Sequence, residues 1–371
     1  MYTAQDTIFP YLLKEYLIYF IGFLTVTVLA LFLTLIVHKL HTEKKERKKR
    51  RFTAEYKSAV SQHVNFYAPL AVSPENDLQF KAFADVCVDM LAGASPSEAE
   101  KIKSLLKELQ VVDHFKRVAA SASWTKRFYA VEILGFFMID DLKGFFREVL
   151  IRDSSREVRS RALWALSLIA DKEDIELITR LLATDISNSS KFNVYIYSNV
   201  ISSCRKRGIQ DSVTDFIKGM KEDQAMPIIL KRDLIEACGV SGLKEAAGLI
   251  IGYFSSHQHD SLMKIACLRG LGALGSLNAG IIMNNLTDKD WRVRAVAAKA
   301  SHTPEDTVIS ELQKLLYDPV YIVRINSARA LSRSGTKGSL ILERERNSED
   351  RFVRDTARFI LEEAEGRCLK V

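Results

Sequence analysis

Residues 288–301 read DKDWRVRAVAAKAS, residues 318–331 read DPVYIVRINSARAL and residues 348–361 read SEDRFVRDTARFIL. Their Val-Arg pair recurs at intervals of 30 residues, and residues 153–167, DSSREVRSRALWALS, carry the same pair. A period of this size is typical of repeat proteins in which each unit is a helical hairpin that cannot bury its apolar face alone. Such hairpins stack into a solenoid and expose a long continuous surface. The repeat therefore predicts an all-α solenoid, and the weak strand signals elsewhere in the chain agree with it.

The residues around the Val-Arg pair indicate how the units stack. The arginine falls six residues after an Asp or Ser, and small residues follow it at +3 and, less regularly, at +6. On a helix, pairs such as Ala162 and Ala165 share one face and let neighbouring hairpins approach closely. At these positions the chain resembles the HEAT-repeat family, including its bacterial short-repeat branch related to the phycobilisome lyases, whose units carry a D-x-x-x-x-V-R-x-x-A-x-x-A-L pattern.

The resemblance implies a right-handed α-solenoid of about eight hairpins over residues 111–365. Earlier units are centred on Arg127, Lys231 and Lys264, with a degenerate unit near Asn193. The resemblance also implies that the Asp and Arg of each unit form a structural hydrogen-bond ladder, here Asp153, Arg159, Asp288, Arg294, Asp318, Arg324 and Arg354. Ser348 and Gln258 stand where the pattern has Asp, and lysine replaces arginine at 231 and 264. We expect the ladder to be interrupted at these positions.

A segment near the N-terminus has the composition of a transmembrane helix. From Tyr16 to Val37 the 22 residues include no charge, and as a helix they would extend about 33 Å, enough for the hydrocarbon core of a bilayer. Tyrosines precede the segment and a basic tract follows it. The positive-inside rule then predicts a single-pass protein of the inner (cytoplasmic) membrane, with its N-terminus outside and the solenoid in the cytoplasm. A cleaved signal peptide fits poorly, because the charges lie on the wrong side and no small-residue cleavage site follows.

The excess positive charge is concentrated beside this segment. The chain carries a net charge of +7, of which residues 38–60 contribute +6, so residues 61–371 are close to neutral. Basic residues next to a bilayer attract anionic lipid, and the candidate lipid-surface residues are Lys44, Lys45, Arg47, Lys48, Lys49, Arg50 and Arg51. An equally good interpretation is that the tract only sets the topology. Nucleic-acid binding by the solenoid is disfavoured by this charge distribution.

The solenoid also carries basic residues beyond the ladder. Candidate partner-binding residues are Arg156, Arg161, Arg292, Arg329, Arg333, Arg351 and Arg358. Nearby carboxylates nearly balance these charges, so an ordinary solvated helix face is the simpler interpretation. The sequence offers no catalytic motif and no cofactor-binding motif. His257 and His259 lack a third metal ligand nearby, and the five cysteines form no CxxC pair. We therefore predict no enzyme activity, no cofactor and no metal site.

The predicted organisation divides the chain at changes of composition. The segments are a short extracytoplasmic N-terminus (1–15), a transmembrane helix (16–37), a basic juxtamembrane tract (38–51), a helical N-terminal cap region (52–110), the solenoid (111–365) and a C-terminal tail (366–371).

Three functions from different classes follow from this organisation. The leading hypothesis is a membrane-anchored scaffold or adaptor that docks a protein, itself a membrane-associated enzyme or part of a transport or envelope-polysaccharide assembly. The alternative, by analogy with the family, is a lyase-like or maturation factor. The third is a nucleic-acid-binding solenoid, which the charge distribution opposes.

Overall fold

The computed structural model of the protein describes residues 5–66, 69, 72–184, 189–220, 223, 225–301 and 305–366, with side chains from Leu17 onward apart from Ile18. These ranges contain 19 α-helices, three short 3-10 helices and no strand. The chain divides into two compact units, residues 1–118 and residues 119–371, which are described separately.

The first unit is built on one long helix. Helix α1 (Gln5–Phe66) runs without a break through the predicted segment boundaries at 15, 37 and 51. It is followed by α2 (Asp77–Leu91), α3 (Pro96–Glu108) and α4 (Val111–Ala119). The last third of α1 packs on α2 and α3, where Tyr56, Val60 and Val64 are buried.

Local signals explain where α2 and α3 begin. Asn76 and Gln79 form a capping box at the start of α2, and Ser95 and Glu98 form another at α3, with a proline in its first turn. In a capping box two backbone N–H groups that lack helical partners are satisfied reciprocally by side chains. Both helices lie within residues 52–110.

The apolar part of α1 is unpacked. From Tyr19 onward this helix is long and apolar enough to cross a membrane, and none of its apolar window is buried within the protein. Leu17 and the large apolar side chains from Tyr19 to Val37 are exposed.

The second unit is a stack of helical hairpins. Helix α5 (Trp124–Phe136) is followed by seven pairs: α6 (Lys143–Arg152) and α7 (Arg156–Leu168), α8 (Lys172–Leu182) and α9 (Ser190–Lys206), α10 (Asp211–Met220) and α11 (Ile228–Val240), α12 (Ala247–Ser256) and α13 (Ser261–Ala273), α14 (Ala279–Leu286) and α15 (Trp291–Ala300), α16 (Asp306–Lys314) and α17 (Tyr321–Arg333), and α18 (Gly335–Glu345) and α19 (Arg351–Ala364). The 3-10 helices are Asp140–Leu142, Lys244–Ala246 and Leu315–Tyr317.

We call α5, α7, α9, α11, α13, α15, α17 and α19 the motif helices. Each packs against the motif helix before it and the one after it, so together they form one continuous layer. The intervening helices form the second layer. The all-α solenoid predicted from the sequence is confirmed.

The Val-Arg pair has a fixed place in this layer. It occupies the third and fourth positions of α7, α15, α17 and α19, and the four valines are fully buried. Arg127, Lys231 and Lys264 are likewise the fourth residues of their helices, and Asn193 has this position in the degenerate unit.

Small residues permit close packing between motif helices. A Cβ placed on Gly239 of α11 would lie 2.7 Å from the Gly270 Cα of α13. A Cβ on Gly135 of α5 would lie 2.8 Å from the Ala165 Cβ of α7. These distances are shorter than a non-bonded carbon–carbon contact allows. The close approach of α11 to α13 and of α5 to α7 therefore requires glycine at 239 and 135.

Candidate functional site

The ladder cations join consecutive units of the stack. The Arg294 Nη1 donates to the Asp288 carbonyl at 2.8 Å in its own loop, while its Nε donates to the Asp318 carboxylate of the next unit at 2.7 Å. Arg127 bonds the Asp153 carboxylate through Nε and Nη2 at 2.8 and 2.9 Å. Lys264 makes the corresponding ion pair with Asp288, so lysine at this position keeps the contact. Each complete contact is thus between the cation of one unit and the aspartate of the following unit.

The ladder aspartates also shape their loops. One carboxylate oxygen of Asp153, Asp288 and Asp318 accepts from the backbone N–H two residues ahead, each at 2.8 Å. Burial alone would raise the pKa of Asp153, but the hydrogen bond from Arg127 and the backbone bond from Ser155 hold that pKa below its usual value. The carboxylate is therefore anionic at neutral pH and fixes the loop and the neighbouring unit together.

The remaining ladder arginines bond their own loops. Arg159 and Arg354 donate from Nη1 to the carbonyls of Asp153 and Ser348, each at 2.9 Å. Arg324 donates from Nη1 to the Asp318 carbonyl at 2.8 Å, but the next unit offers Ser348 in place of an aspartate.

Gln258 also stands at a ladder aspartate position, after Lys231, and the two side chains bond elsewhere. Lys231 donates to the Asp223 carbonyl at 2.6 Å, and the Gln258 amide donates to the Phe254 carbonyl of the preceding helix α12.

A groove lies along the exposed side of the motif-helix layer. It has a volume of about 920 Å³ and is lined by side chains of α11, α13, α15 and α17, with Ser190 from the start of α9. An apolar row follows it, formed by Ile229, Leu262, Trp291 and Ile322, one from each of the four helices and each 43 to 45% exposed. We call this surface the motif-helix groove.

Charged side chains share the groove with the apolar row: Arg232, Asp233, Glu236, Arg269, Arg292, Lys299 and Arg333. Two of these cations form ion pairs, Arg269 with Glu236 at 3.0 Å and Arg292 with Asp290 at 2.7 Å. Arg333 donates to the Lys299 backbone carbonyl at 3.0 Å. The groove thus combines apolar area with a surplus of positive charge, a composition suited to a peptide segment with apolar and acidic side chains.

The predicted partner-binding arginines do not form one site. The groove brings together Arg292 and Arg333 only. Arg161 of α7 lies over the rings of Phe128 and Trp164 and pairs with Glu132. The others lie on α7, α17 and α19, where the contacts are Arg329 with Glu363, Arg351 with Asp355, and Arg358 with the Arg346 carbonyl.

Asp233 is a groove residue that the sequence analysis missed. The residue is only 2% exposed, and its carboxylate accepts from the Ser190 hydroxyl and from the Asn193 amide, the latter at 2.7 Å. Burial raises its pKa above the usual value, and the two hydrogen bonds oppose that rise. The available signal was an aspartate two residues after the motif lysine, in the helix that follows Pro227.

The basic tract lies on α1, beyond the apolar segment. Lys49 pairs with Asp85 of α2 at 2.6 Å, and Arg47 pairs with Glu43 at 3.6 Å. Because α1 is continuous, Lys49 lies about 18 Å along the helix from Val37, which exceeds a Debye length of roughly 8 Å. Of the candidate lipid-surface residues, Lys44 and Lys45 lie closest to the apolar segment.

The described residues contain no group of three or more His, Cys, Asp or Glu side chains placed to hold a metal ion. The His257 Nδ1, just after α12, lies 3.0 Å from the Tyr253 carbonyl of that helix. Burial raises the pKa of the Cys87, Cys204, Cys238 and Cys267 thiols. These thiols are therefore protonated and unreactive at neutral pH.

Comparison with known proteins supports the repeat architecture over part of the chain. Residues 112–189 match the family model described as HEAT repeats. No curated protein matches the sequence.

Three solved structures illustrate the similarity. YibA of Escherichia coli is 16% identical with a TM-score of 0.43, covering 72% of this chain and 97% of its own. Importin beta is 14% identical with a TM-score of 0.38, covering 87% and 53%. The CpcE–CpcF complex of phycocyanin lyase from Nostoc is 13% identical with a TM-score of 0.23, covering 81% and 98%. At such identities and TM-scores nothing about ligand or activity transfers to this chain, whose region 112–189 is similar to HEAT repeats.

Proposed function

We propose that this protein is a membrane-anchored scaffold that docks a protein segment in the motif-helix groove. The observation that carries the proposal is the apolar row of Ile229, Leu262, Trp291 and Ile322 beside unpaired positive charge, on a layer that four consecutive motif helices build. Aromatic and arginine side chains at the centre of such a surface supply most of the binding energy in protein interfaces.

The membrane part of the proposal rests on α1. Its apolar side chains from Tyr19 to Val37 are exposed, which is costly in water for so many residues in succession. A bilayer would cover them, and the basic tract that follows would hold the second unit in the cytoplasm. An anchor confines the groove to the membrane surface, where a membrane-associated partner is concentrated, so modest groove contacts would suffice for docking.

A site-specific crosslinking experiment tests the docking surface. A photoreactive amino acid replaces Trp291 or Ile322 in the groove of the full-length protein, in cells. Matched controls replace Leu340 of α18 and Ile151 of α6, which are apolar and 64% and 73% exposed but lie on the second layer.

We expect one protein adduct from the groove positions and much less from the controls. Equal adducts at all four positions would indicate nonspecific contact, and adducts at the controls alone would place docking on the second layer. Either result contradicts the proposed groove.

The same experiment without the anchor tests the membrane contribution. A variant lacking residues 16–37 should leave the membrane fraction and lose most of the groove adduct, because the local concentration of partner falls. If the variant stays in the membrane fraction and keeps the groove adduct, the anchoring role is contradicted.

A further inference from the structure

Arg324 is a ladder arginine whose following unit has a serine at the position of the aspartate. In three complete contacts the cation meets the aspartate of the following unit: Arg127 with Asp153, Lys264 with Asp288 and Arg294 with Asp318. Arg324 has the same place on α17 and the same Nη1 bond to its own loop, yet Ser348 stands at the aspartate position of the next unit. The serine side chain is shorter than that of aspartate and carries no charge, so it cannot replace the carboxylate.

The consequence is visible at the guanidinium. Arg324 is only 8% exposed, and its Nε is buried without a hydrogen-bond partner among the described residues. A buried donor without an acceptor costs free energy, more so when the group is charged. Two carboxylates of this part of the stack bond elsewhere: Asp318 accepts from Arg294, and Glu345 accepts from the Tyr317 hydroxyl at 2.7 Å.

Two aromatic side chains cover Arg324. The guanidinium carbon lies 5.1 Å from the ring centre of Phe352 and 5.8 Å from that of Tyr321. Both side chains are more than half exposed, at 65% and 55%. Ring faces attract the cation but accept no strong hydrogen bond from Nε, and an exposed ring changes rotamer easily. Arg324 is therefore a buried, charged donor beneath an aromatic cover that can open.

We propose that Arg324 is a binding site for a carboxylate supplied by the docked protein segment, an aspartate or glutamate side chain that takes the place of the missing ladder aspartate. The carboxylate accepts from Nε when the Phe352 ring swings aside, and the residues beside it in the segment pack on Tyr321 and Phe352. This inference rests on the proposed docking function and names the chemistry that the partner must carry.

The substitution Ser348→Asp provides the sharpest test, because it supplies the carboxylate from within the chain. Ser348→Asn is its matched control, with the same size and no charge. In the full-length protein, Ser348→Asp should raise the melting temperature relative to Ser348→Asn by about 2–4 °C. A lower melting temperature for Ser348→Asp than for Ser348→Asn would show that no carboxylate fits beside Arg324, which overturns the proposal.

Binding itself is measured at the Arg324 Nε–Hε group by NMR of the arginine-labelled full-length protein, with Arg324→Lys identifying the signal. The probe is N-acetyl-glutamate N-methylamide, and its glutamine counterpart is the uncharged control at equal ionic strength. We expect a saturable shift with the glutamate probe only, and no response in Ser348→Asp. An equal response to both probes, or none to the glutamate probe, overturns the carboxylate site.

The link to docking has its own measurement. The crosslink yield from Trp291 should fall several-fold in Ser348→Asp and stay unchanged in Ser348→Asn, because only the aspartate competes with the partner's carboxylate. An equal yield in both variants would separate the carboxylate site from docking and overturn that part of the inference. If the photoreactive residue at position 291 gives no adduct even when Ser348 is unchanged, the docking function is contradicted. The NMR measurement still reports on the carboxylate site in that case.

Discussion

Asp318 serves two units of the stack at once. Its carboxylate accepts from Arg294 of the preceding unit and from the Val320 N–H of its own loop, and its side chain is 4% exposed. Asp318→Ala removes both contacts and leaves the guanidinium without its acceptor, so we expect a loss of about 2 kcal/mol in the free energy of unfolding. Urea denaturation followed by tryptophan fluorescence measures it.

Asp306→Ala is the control for this prediction. Asp306 pairs with Lys337 at 2.6 Å, but the two side chains are 72% and 67% exposed. Exposed ion pairs contribute roughly 0.5 kcal/mol, so the control should remain close to the wild type. Equal losses in the two variants would show that the ladder contact is no stronger than a surface pair.

Arg147 offers a prediction that depends on pH. It bonds the fully buried Asp174 through Nε and Nη2 at 2.9 and 2.7 Å. Burial raises the pKa of Asp174, and the bond from Arg147 opposes the rise. Arg147→Ala leaves the carboxylate buried and unpaired, which we expect to cost about 3 kcal/mol near pH 8.

The sign of the pH effect follows from proton binding. With the Asp174 pKa raised further, the folded variant binds its proton more readily than the unfolded chain, so its stability rises as the pH falls towards that pKa. The cost of Arg147→Ala should therefore be smaller at pH 5 than at pH 8 when urea midpoints of variant and wild type are compared. A cost that is the same at both pH values would show that Asp174 does not titrate in the folded variant.

At the scale of the helices, two glycines should respond to alanine with opposite signs. A Cβ on Gly239 of α11 would lie 2.7 and 2.8 Å from backbone atoms of Gly270 in α13, which cannot move independently of that helix. Gly239→Ala should therefore destabilise the protein by about 2 kcal/mol. A Cβ on Gly252 of α12 meets nothing within 4 Å, and Gly252→Ala should stabilise it by about 0.5 kcal/mol through a smaller entropy loss on folding.

Thermal unfolding of the two glycine variants checks both signs. Similar stabilisation by both substitutions would mean that α11 and α13 are farther apart than the structure has them.

The sequence was most informative about the motif helices. The Val-Arg pair and its 30-residue spacing predicted the hairpins because four units place a buried valine and a loop-binding arginine at the third and fourth positions of their motif helix. The spacing could not tell that the carboxylate partner comes from the next unit, because nothing in a one-dimensional repeat separates a contact within a unit from one between units. The persistence of the contact at Lys264 was missed for a related reason, since an ammonium reaches the same carboxylate as a guanidinium.

The groove was harder to predict than the hairpins. In three of its helices the apolar row is formed by the residue two positions before the motif cation. In α15 it is formed by Trp291, which lies three positions before the cation. On a single helix these side chains resemble ordinary core positions at the first turn. Only the packing of four motif helices side by side leaves them exposed in a common row, and that packing depends on close contacts such as Gly239 with Gly270.

At the scale of the whole molecule, the two units differ in their exposed apolar surface and in their net charge. The exposed apolar segment and the basic tract lie on one helix of the first unit, and the second unit is almost neutral apart from the local surplus in its groove. This difference favours the proposal that α1 places the protein at the membrane and that the motif helices select the bound partner.

The orientation of the anchor gives the last prediction. If α1 spans the membrane as proposed, the positive-inside rule predicts that the basic tract and all that follows lie in the cytoplasm. A cytoplasmic reporter fused after Val371 should therefore be active, whereas a reporter that functions only in the periplasm should be inactive at the same position. Replacing Lys44, Lys45, Arg47 and Lys48 with serine removes four of the basic residues nearest the apolar segment and should make a fraction of the molecules insert in the opposite orientation. Periplasmic activity in the unmodified fusion would contradict the orientation, and an unchanged topology in the serine variant would show that other features of α1 determine it.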